Sequence, residues 1–513
     1  MKNFGKIKNF ILKNHKSIFL ISGLTLLNIL FLCYSFKNNQ LSFGKTFICI
    51  LIGSILLEAI CCCIVFIAKK HSWKIERLFI VLGLIIGPIY VLTIPVGRAP
   101  DESTHFYRVY EITQGHFVSG TDEDGVDRGS VMASNIFFVH EIAGRNTTYA
   151  NTLEKLTFYE DNSEQIFIKN SASSYSFISY LPHIIGMKIG QILNLPVLVT
   201  AYIAKLFNCI ACILLLYFSI KFIPFLKEII FFIAFLPITM QGMASLSADG
   251  FIIATSIALI SFVLYSTYTM KTTFTKKHYA LLLSLCLILS LSKIIYALIC
   301  FFIFAIPKAR FKNQKTKLIA IFSIGGICLF ALTFWFIISS TTTFTDAYNR
   351  NLIFNNPFHY GAMLIYSLSY NFLLYIAGTF GGWLEWFNVS LSWLYLFPSI
   401  LIFAFLCKQA RDTFCINKTI RYLSIFIFIA VFISTFTAMF VSWTSPGANI
   451  IDGVQGRYFL PILLFIPLAL MPNPKPRFKT NSKPVKLSQN YYLYSFIIFE
   501  SIYAITTIAC THL

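Results

Sequence analysis

Charged residues are scarce in this sequence. Asp, Glu, Lys and Arg together make up 12% of its 513 residues, whereas a soluble domain contains about 25%. Hydrophobic residues account for 57% of the chain, and the mean hydropathy is +0.72. This composition excludes a soluble globular protein and predicts an all-α integral membrane protein with many spans.

Cysteine motifs and nucleotide-binding loops are also missing. The longest polar stretch, 95–176, contains no cysteine, and the 13 cysteines of the chain show neither disulfide nor metal-binding spacing. No G-x-x-x-x-G-K motif occurs, so a cytoplasmic nucleotide substrate is not indicated. A disulfide-rich ectodomain and a P-loop enzyme are therefore excluded.

Acidic residues are also few: 41 Lys and Arg outnumber 21 Asp and Glu, which leaves a net charge of +20. Nucleic acid is not the predicted partner, because Lys and Arg cluster between apolar segments, as a topology signal does. The basic clusters are 2–16, 69–77, 271–277, 307–317, 408–421 and 475–486. Placing them in the cytoplasm predicts a multi-pass membrane protein with a cytoplasmic N-terminus.

Thirteen apolar segments are long enough to be candidate spans. They are 17–36, 46–68, 78–95, 198–220, 226–243, 248–269, 279–292, 293–306, 317–339, 389–407, 421–442, 457–472 and 491–510. We expect a two-span extension at 1–70, one membrane domain at 71–472, and a cytoplasmic linker with the last span at 473–513.

Three outer segments interrupt the spans. Residues 97–177 carry 12 of the 21 acids but only six Lys or Arg, which predicts a folded extracytoplasmic loop, since passive connections are shorter. The others are 340–388 and 442–457. The first segment begins with a predicted juxtamembrane helix at 100–114, because Pro100 suits the first helical position and acids favour the first turn.

This helix would align an acid, an imidazole and a guanidinium on one face. Asp101, His105 and Arg108 follow i, i+4, i+7 spacing, with Glu102 beside them. Solvated charges on a capped interfacial helix are one interpretation. The alternative is a general base or cation ligand within reach of a lipid headgroup, with Arg108 holding phosphate oxygens.

Polar residues in or beside the apolar segments form a second group of candidates. Lys205, Asp249 and Lys293 are functional hypotheses by position, because charges in the membrane are costly. Glu58 lies deeper, and we interpret it as an interhelical hydrogen-bond residue.

Two further motifs lie at predicted outer borders. In "GVQGRYFLP" (453–461), Gln455, Arg457 and Tyr458 offer donors and an aromatic ring where a span re-enters the membrane. In "GGWLEWF" (381–387), the tryptophans fit an interfacial belt or a sugar platform, and Glu385 is unusual for a belt.

These motifs resemble a bacterial membrane family catalogued as domain of unknown function 2142, which is similar to the GT-C glycosyltransferases. The resemblance covers about 78–472. It is carried by "PDESTHFYRVYEITQG", "SYLPHIIGMKIGQIL", "FLPITMQGMASLSAD", "SKIIYAL", "GGWLEWF" and "GVQGRYFLP". The acids here follow the third predicted span rather than the first, and Lys205 and Ile294 stand where the family often has Arg and Pro.

The resemblance implies an enzyme of the bacterial plasma membrane that takes a sugar from a polyprenyl-phosphate carrier and acts at the extracytoplasmic face. It implies Asp101 and Glu102 as base or ligands of Mg or Mn. It implies that basic residues hold the lipid phosphate, here Arg108, Lys205, Lys293 and Arg457. Further substrate-binding candidates are His105, Tyr180, Asp249, Tyr296, Glu385, Gln455 and Tyr458.

The predicted function is an inverting transfer to a cell-envelope glycan or lipid-linked acceptor, in polysaccharide biosynthesis. A flippase of lipid-linked glycans is a rival, and it predicts a polar cavity across the bilayer. A non-catalytic component of a wall-polysaccharide assembly complex is another. A polymerase or ligase is an enzymatic variant of the main hypothesis.

Overall fold

The protein is an all-α bundle with small sheets on one side, which confirms the predicted fold class. The computed structural model describes residues 2–122, 127–139, 147–161, 163–339, 344–473 and 491–513. The α-helices are α1 (Lys2–Asn38), α2 (Lys45–Lys70), α3 (Ile75–Thr93), α4 (Glu102–Thr113), α5 (Tyr149–Glu154), α6 (Leu181–Ile192), α7 (Val197–Phe222), α8 (Lys227–Phe235), α9 (Pro237–Met243), α10 (Asp249–Tyr268), α11 (Lys276–Ser292), α12 (Gln314–Ser339), α13 (Phe344–Asn355), α14 (Pro357–Thr379), α15 (Trp393–Thr413), α16 (Lys418–Ser442), α17 (Phe465–Leu470) and α18 (Tyr491–Thr511).

Within the described residues, ten helices are long and apolar enough to cross a membrane. They are α1, α2, α3, α7, α10, α12, α14, α15, α16 and α18. All but α14 coincide with predicted spans.

The other four predicted spans are shorter or broken helices. Segment 226–243 divides into α8 and α9 at Pro237, and 279–292 lies in α11. Segment 293–306 forms a 3₁₀ helix, Ile294–Ala305, and 457–472 forms a 3₁₀ helix, Gly456–Ile462, followed by α17. Pro237 explains the break between α8 and α9, and Pro461 the break in 457–472, since proline removes a backbone donor and clashes with the preceding turn.

Helix α14 lies in segment 340–388, which was predicted as an outer segment rather than a span. Tyr360 packs on Phe440 near the end of α16, with ring centroids 5.1 Å apart. The hydroxyl of Ser367 accepts a hydrogen bond of 2.8 Å from the Ile451 amide in the loop after α16. These contacts pack the first half of α14 against the end of α16 and the loop that follows it.

Short strands occur in the outer segments. One sheet has the order β1 (Gly120–Thr121), β2 (Arg128–Ala133) and β3 (Gln165–Lys169), with antiparallel pairing of Ser130 to Ile168. The other is a hairpin of β4 (Trp383–Leu384) and β5 (Val389–Ser390). The sheets cover the end of the bundle on which α4 lies.

The two N-terminal helices pack against the last one. Phe31 of α1 stacks on Tyr503 of α18 with centroids 4.3 Å apart. The buried Glu58 of α2 accepts hydrogen bonds from Thr25 at 2.8 Å and Asn28 at 3.4 Å. Glu58 therefore joins α1 to α2, in agreement with its interpretation as an interhelical residue.

We expect Gly456→Ala to destabilise the fold. A methyl group at Gly456 would collide with the backbone of Gly378 and Thr379 at the end of α14, and overpacking of this kind costs about 1–3 kcal/mol. Thermal unfolding in detergent should show a lower midpoint for this variant. Gly361→Ala, also in α14 but facing open space, is the control, and equal midpoints for the two variants would contradict this account.

Candidate functional site

Four charged side chains from distant parts of the chain meet at one end of the bundle. Arg457 lies 2.9 Å from Asp101 and 3.5 Å from Asp249, and Lys293 lies 2.7 Å from the other oxygen of Asp249. We call Asp101, Asp249, Lys293 and Arg457 the ion cluster, and the end that carries it the site side. All four residues are sequence candidates, and the structure brings them together.

The ends of helical elements position the cluster. Asp249 is the first residue of α10, where the helix dipole stabilises a carboxylate. Lys293 is the extended residue between α11 and the 3₁₀ helix Ile294–Ala305. Arg457 follows Gly456 in the other 3₁₀ helix. Side chains at such ends reach the bundle surface without a charge being placed at mid-helix.

Asp101 has an unusual backbone conformation. Its φ is +61°, in the left-handed region, where a non-glycine residue stores about 1–3 kcal/mol of strain. Its carbonyl accepts hydrogen bonds from His105 N at 3.0 Å and Thr104 Oγ1 at 2.7 Å. Helix α4 therefore begins at Glu102 instead of residue 100. Asp101 precedes the helix that carries His105 and Arg108, so the prediction that all three lie on one helix face is wrong for Asp101.

Asp101 is also the accessible acid of the cluster. Its side chain is 37% exposed, compared with 12% for Asp249. Asp249 is held between two cations, whereas Asp101 contacts Arg457 and retains an open side. Of the two, only Asp101 is placed to receive a proton from a ligand.

Tyrosines surround the ammonium group of Lys293. Its Nζ lies 4.8 Å from the ring of Tyr458 and 5.7 Å from that of Tyr175, within range of cation–π attraction. Tyr296 donates a 2.9 Å hydrogen bond to the carbonyl of Tyr458. Tyr296 and Tyr458 were sequence candidates, whereas Tyr175 was missed because it belongs to no dense motif.

Glu102 has a structural role, contrary to its predicted role as base or metal ligand. One carboxylate oxygen accepts from the amides of Gly97 at 2.9 Å and Ala99 at 3.1 Å, and the other from Leu246 at 3.0 Å. Lys205 lies 3.7 Å away, and both side chains are fully buried. The Glu102 carboxylate therefore fixes the turn before α4, and its oxygens are engaged by the protein.

Lys205 and Arg108 also point inward, so their predicted phosphate contacts do not fit this geometry. Lys205 donates to the carbonyl of Ile94 at 2.6 Å. Arg108, with no exposed surface, donates to Glu111 at 2.6 Å and Ser119 at 3.1 Å. Lys205 thus holds the end of α3, and Arg108 joins residues within the outer segment 97–177.

His105 is buried behind the ion cluster. Its Nδ1 lies 2.6 Å from the hydroxyl of Tyr180. Burial lowers the pKa of His105 to about 4, so the ring is neutral near pH 7. The predicted substrate contacts of His105 and Tyr180 are replaced here by a contact between the two.

Glu385 belongs to a separate buried network. Arg98 lies 2.9 Å from one of its oxygens and His512 Nε2 lies 2.6 Å from the other. Sequence reasoning missed Arg98 and His512, although Arg98 lies two residues before the motif "PDESTHFYRVYEITQG".

Gln455 is half-buried. Its backbone carbonyl accepts a hydrogen bond of 3.1 Å from Tyr458 N at the start of the 3₁₀ helix Gly456–Ile462.

The acids do not form the predicted metal pair. Glu102 already accepts three backbone N–H groups, and Asp101 faces Arg457. Hard divalent cations need several free oxygens, which this pair does not offer. Among the described residues, no group of three His, Cys, Asp or Glu side chains is arranged to hold a metal.

A family model described as a predicted membrane protein, DUF2142, matches residues 84–466. The chain belongs to the DUF2142 family. The DUF2142 match includes all four residues of the ion cluster and excludes α1, α2 and α18. No curated protein and no solved structure is significantly similar to the chain.

We expect His105 to make this DUF2142 protein less stable in acid. Its pKa falls from 6.5 to about 4 on burial, so from pH 6.5 down to 4 the unfolded chain takes up a proton that the folded chain does not. The free energy of unfolding therefore falls over this window, by about 3 kcal/mol when the shift is complete.

Thermal unfolding of His105→Gln across pH 4–7 tests this expectation. The variant should lose less stability on acidification than the wild type. His116→Gln, at an exposed position just beyond α4, is the control and should behave as the wild type does. Identical pH profiles for all three chains would show that His105 does not contribute.

Proposed function

We propose that this multi-pass membrane protein is a GT-C-type glycosyltransferase. It transfers a sugar from a polyprenyl-phosphate donor to a cell-envelope glycan or lipid-linked acceptor on the extracytoplasmic side. The observation that carries this proposal is the accessible carboxylate of Asp101, 2.9 Å from the guanidinium of Arg457. The cluster thus combines a proton acceptor with cations suited to phosphate.

Asp101 is the general base in this mechanism. It accepts the proton of the acceptor hydroxyl as that oxygen forms a bond to the anomeric carbon. The bond from this carbon to the phosphate oxygen breaks on the opposite face, which inverts the configuration. Arg457 and Lys293 stabilise the negative charge that develops on the departing lipid phosphate.

Asp249 holds the two cations near each other. It contacts Lys293 at 2.7 Å and Arg457 at 3.5 Å. When a phosphate engages Arg457, the ion pair with Asp101 is weakened and the Asp101 carboxylate is freed to accept a proton. Donor binding and base activation are thereby coupled through one guanidinium group.

The surroundings of the cluster suit a lipid-anchored donor. Helix α14 exposes large apolar side chains, with Phe358 91% and Leu373 68% exposed. The end of α14 packs on Gly456, the neighbour of Arg457. A lipid lying against α14 would present its phosphate close to the ion cluster.

A divalent cation, Mg or Mn, remains a prediction from the resemblance. Since Glu102 is engaged by backbone amides, the proposed sugar transfer uses only side chains of the protein.

The flippase and scaffold rivals assign no chemistry to Asp101, so substitution of that residue separates them from the enzyme.

Asp101→Asn should abolish sugar transfer. Loss of a general base reduces the rate by about 10²–10⁴-fold, while the amide can still accept a hydrogen bond from Arg457. The measurement is the amount of the missing envelope sugar restored in a deletion strain by each variant, with protein levels compared by immunoblot. Asp127→Asn, at an exposed outer ion pair with Lys169, is the control.

The enzyme proposal fails if Asp101→Asn restores the sugar as well as the wild type does. A normal result for Asp127→Asn together with loss for Asp101→Asn would assign the effect to the ion cluster rather than to removal of any acid from the outer segment.

A further inference from the structure

A strongly basic surface lies at the end of the bundle opposite the site side. Helix α10 runs away from Asp249 and α11 runs back to Lys293, so the loop between these helices is at the far end. The 20 residues of α10 rise by about 30 Å, which matches the thickness of the hydrocarbon core of a bilayer. The ion cluster and this loop therefore lie at opposite interfaces of the membrane.

Two segments that are distant in the sequence meet at this far end. The amide of Phe274 donates a 2.8 Å hydrogen bond to the carbonyl of Arg310. The guanidinium of Arg310 donates to the carbonyl of Ser266 at 2.9 Å, and the rings of Phe274 and Phe311 pack with centroids 5.3 Å apart. The loop after α10 and the loop before α12 are thus held together as one surface.

We call residues 271–277 and 308–317 the basic surface. It contains eight cationic side chains: Lys271, Lys276, Lys277, Lys308, Arg310, Lys312, Lys315 and Lys317. Six of them are exposed, whereas Arg310 and Lys317 are half-buried. Within the described part of the chain none of the eight forms an ion pair, and the sequence has no Asp or Glu from 250 to 345. The anions that balance these charges must therefore come from outside the basic surface.

Exposed apolar side chains follow the lysines on both helices that leave the basic surface. Leu281 lies in the second turn of α11, and Ile319 and Phe322 lie in the second and third turns of α12. Helices α11 and α12 pack against each other, so the two sets adjoin. An apolar wall that ends in ammonium groups matches a phospholipid, with its acyl chains on the wall and its phosphate at the lysines. A soluble acidic protein would contact the lysines but not the apolar wall.

We propose that the basic surface binds the headgroups of anionic phospholipids in the leaflet opposite the ion cluster. The basic clusters of the sequence predict that this end faces the cytoplasm, and the cytoplasmic leaflet is the one that carries anionic lipid. Because hydrogen bonds and ring packing join the two loops, both contribute charge to the same headgroups. Substitutions at Asp101 should leave this binding unchanged, since it takes place at the other end of the bundle.

Lipid titration of the full chain in a neutral detergent, followed by native mass spectrometry, tests this proposal. The probes are phosphatidylglycerol and phosphatidylcholine with identical acyl chains. The wild type should bind phosphatidylglycerol more tightly, and its preference should weaken as the ionic strength is raised. One triple variant removes charge from both loops: Lys271→Gln, Lys276→Gln and Lys312→Gln. It should reduce the preference about tenfold or more, because each cation near an anionic lipid surface contributes to the attraction.

A second triple variant removes the same net charge from the same end of the bundle. Its substitutions are Lys408→Gln, Arg411→Gln and Lys418→Gln, all at exposed positions. The segment 408–421 adjoins the end of α10, where the hydroxyl of Tyr268 accepts a 3.0 Å hydrogen bond from the amide of Asn417. It also contains Asp412, so its cations are partly balanced. This control should keep the wild-type preference, and the unfolding midpoints of both variants should equal that of the wild type.

Three results would overturn the proposal. The first is a wild type that binds the two lipids equally well or whose preference does not change with ionic strength. The second is an equal loss in the two triple variants, because general charge rather than the basic surface would then attract the lipid. The third is displacement of phosphatidylglycerol by glycerol phosphate, which would assign the basic surface to a soluble phosphate compound instead of a lipid.

Discussion

The ion pair between Asp101 and Arg457 joins positions 356 residues apart in the chain. It brings the turn before α4 against the 3₁₀ helix Gly456–Ile462. The Arg457 side chain is only 9% exposed, and a charge buried to this extent must be paired, because an uncompensated one costs several kcal/mol. The ion cluster therefore lies where α4, α10 and the two 3₁₀ helices meet.

The carboxylates near the site have different tasks. Glu102 and Glu385 are buried and satisfied by protein donors, and they hold the turns on which the site is built. Asp249 keeps two cations together. Asp101 alone of these four combines an ion pair with an accessible side, and it does so in a strained backbone conformation. The buried acids therefore hold the scaffold, whereas Asp101 is the one of these four that remains open to a ligand.

The site also has two distinct neighbours. On one side, α14 exposes large apolar side chains. On the other, Gln241, Ser247 and Ile253 line a narrow cleft beside Asp249 and Arg457. In the proposed mechanism, the lipid chain of the donor would lie against α14, with its phosphate at the ion cluster.

The sequence by itself determined the all-α membrane class, nine of the long helices, and the candidacy of Asp101, Asp249, Lys293 and Arg457. Apolar periodicity and rare charges are local properties, so they can be read along the chain. It did not reveal α14, whose mean hydropathy in the apolar window is 1.3, compared with 2.8 for α2. Only the tertiary structure decided which ionisable groups are open to a ligand. Glu102, one residue from Asp101, is closed off because its acceptors are taken by amides as distant as that of Leu246, and burial of this kind depends on partners that no local pattern specifies.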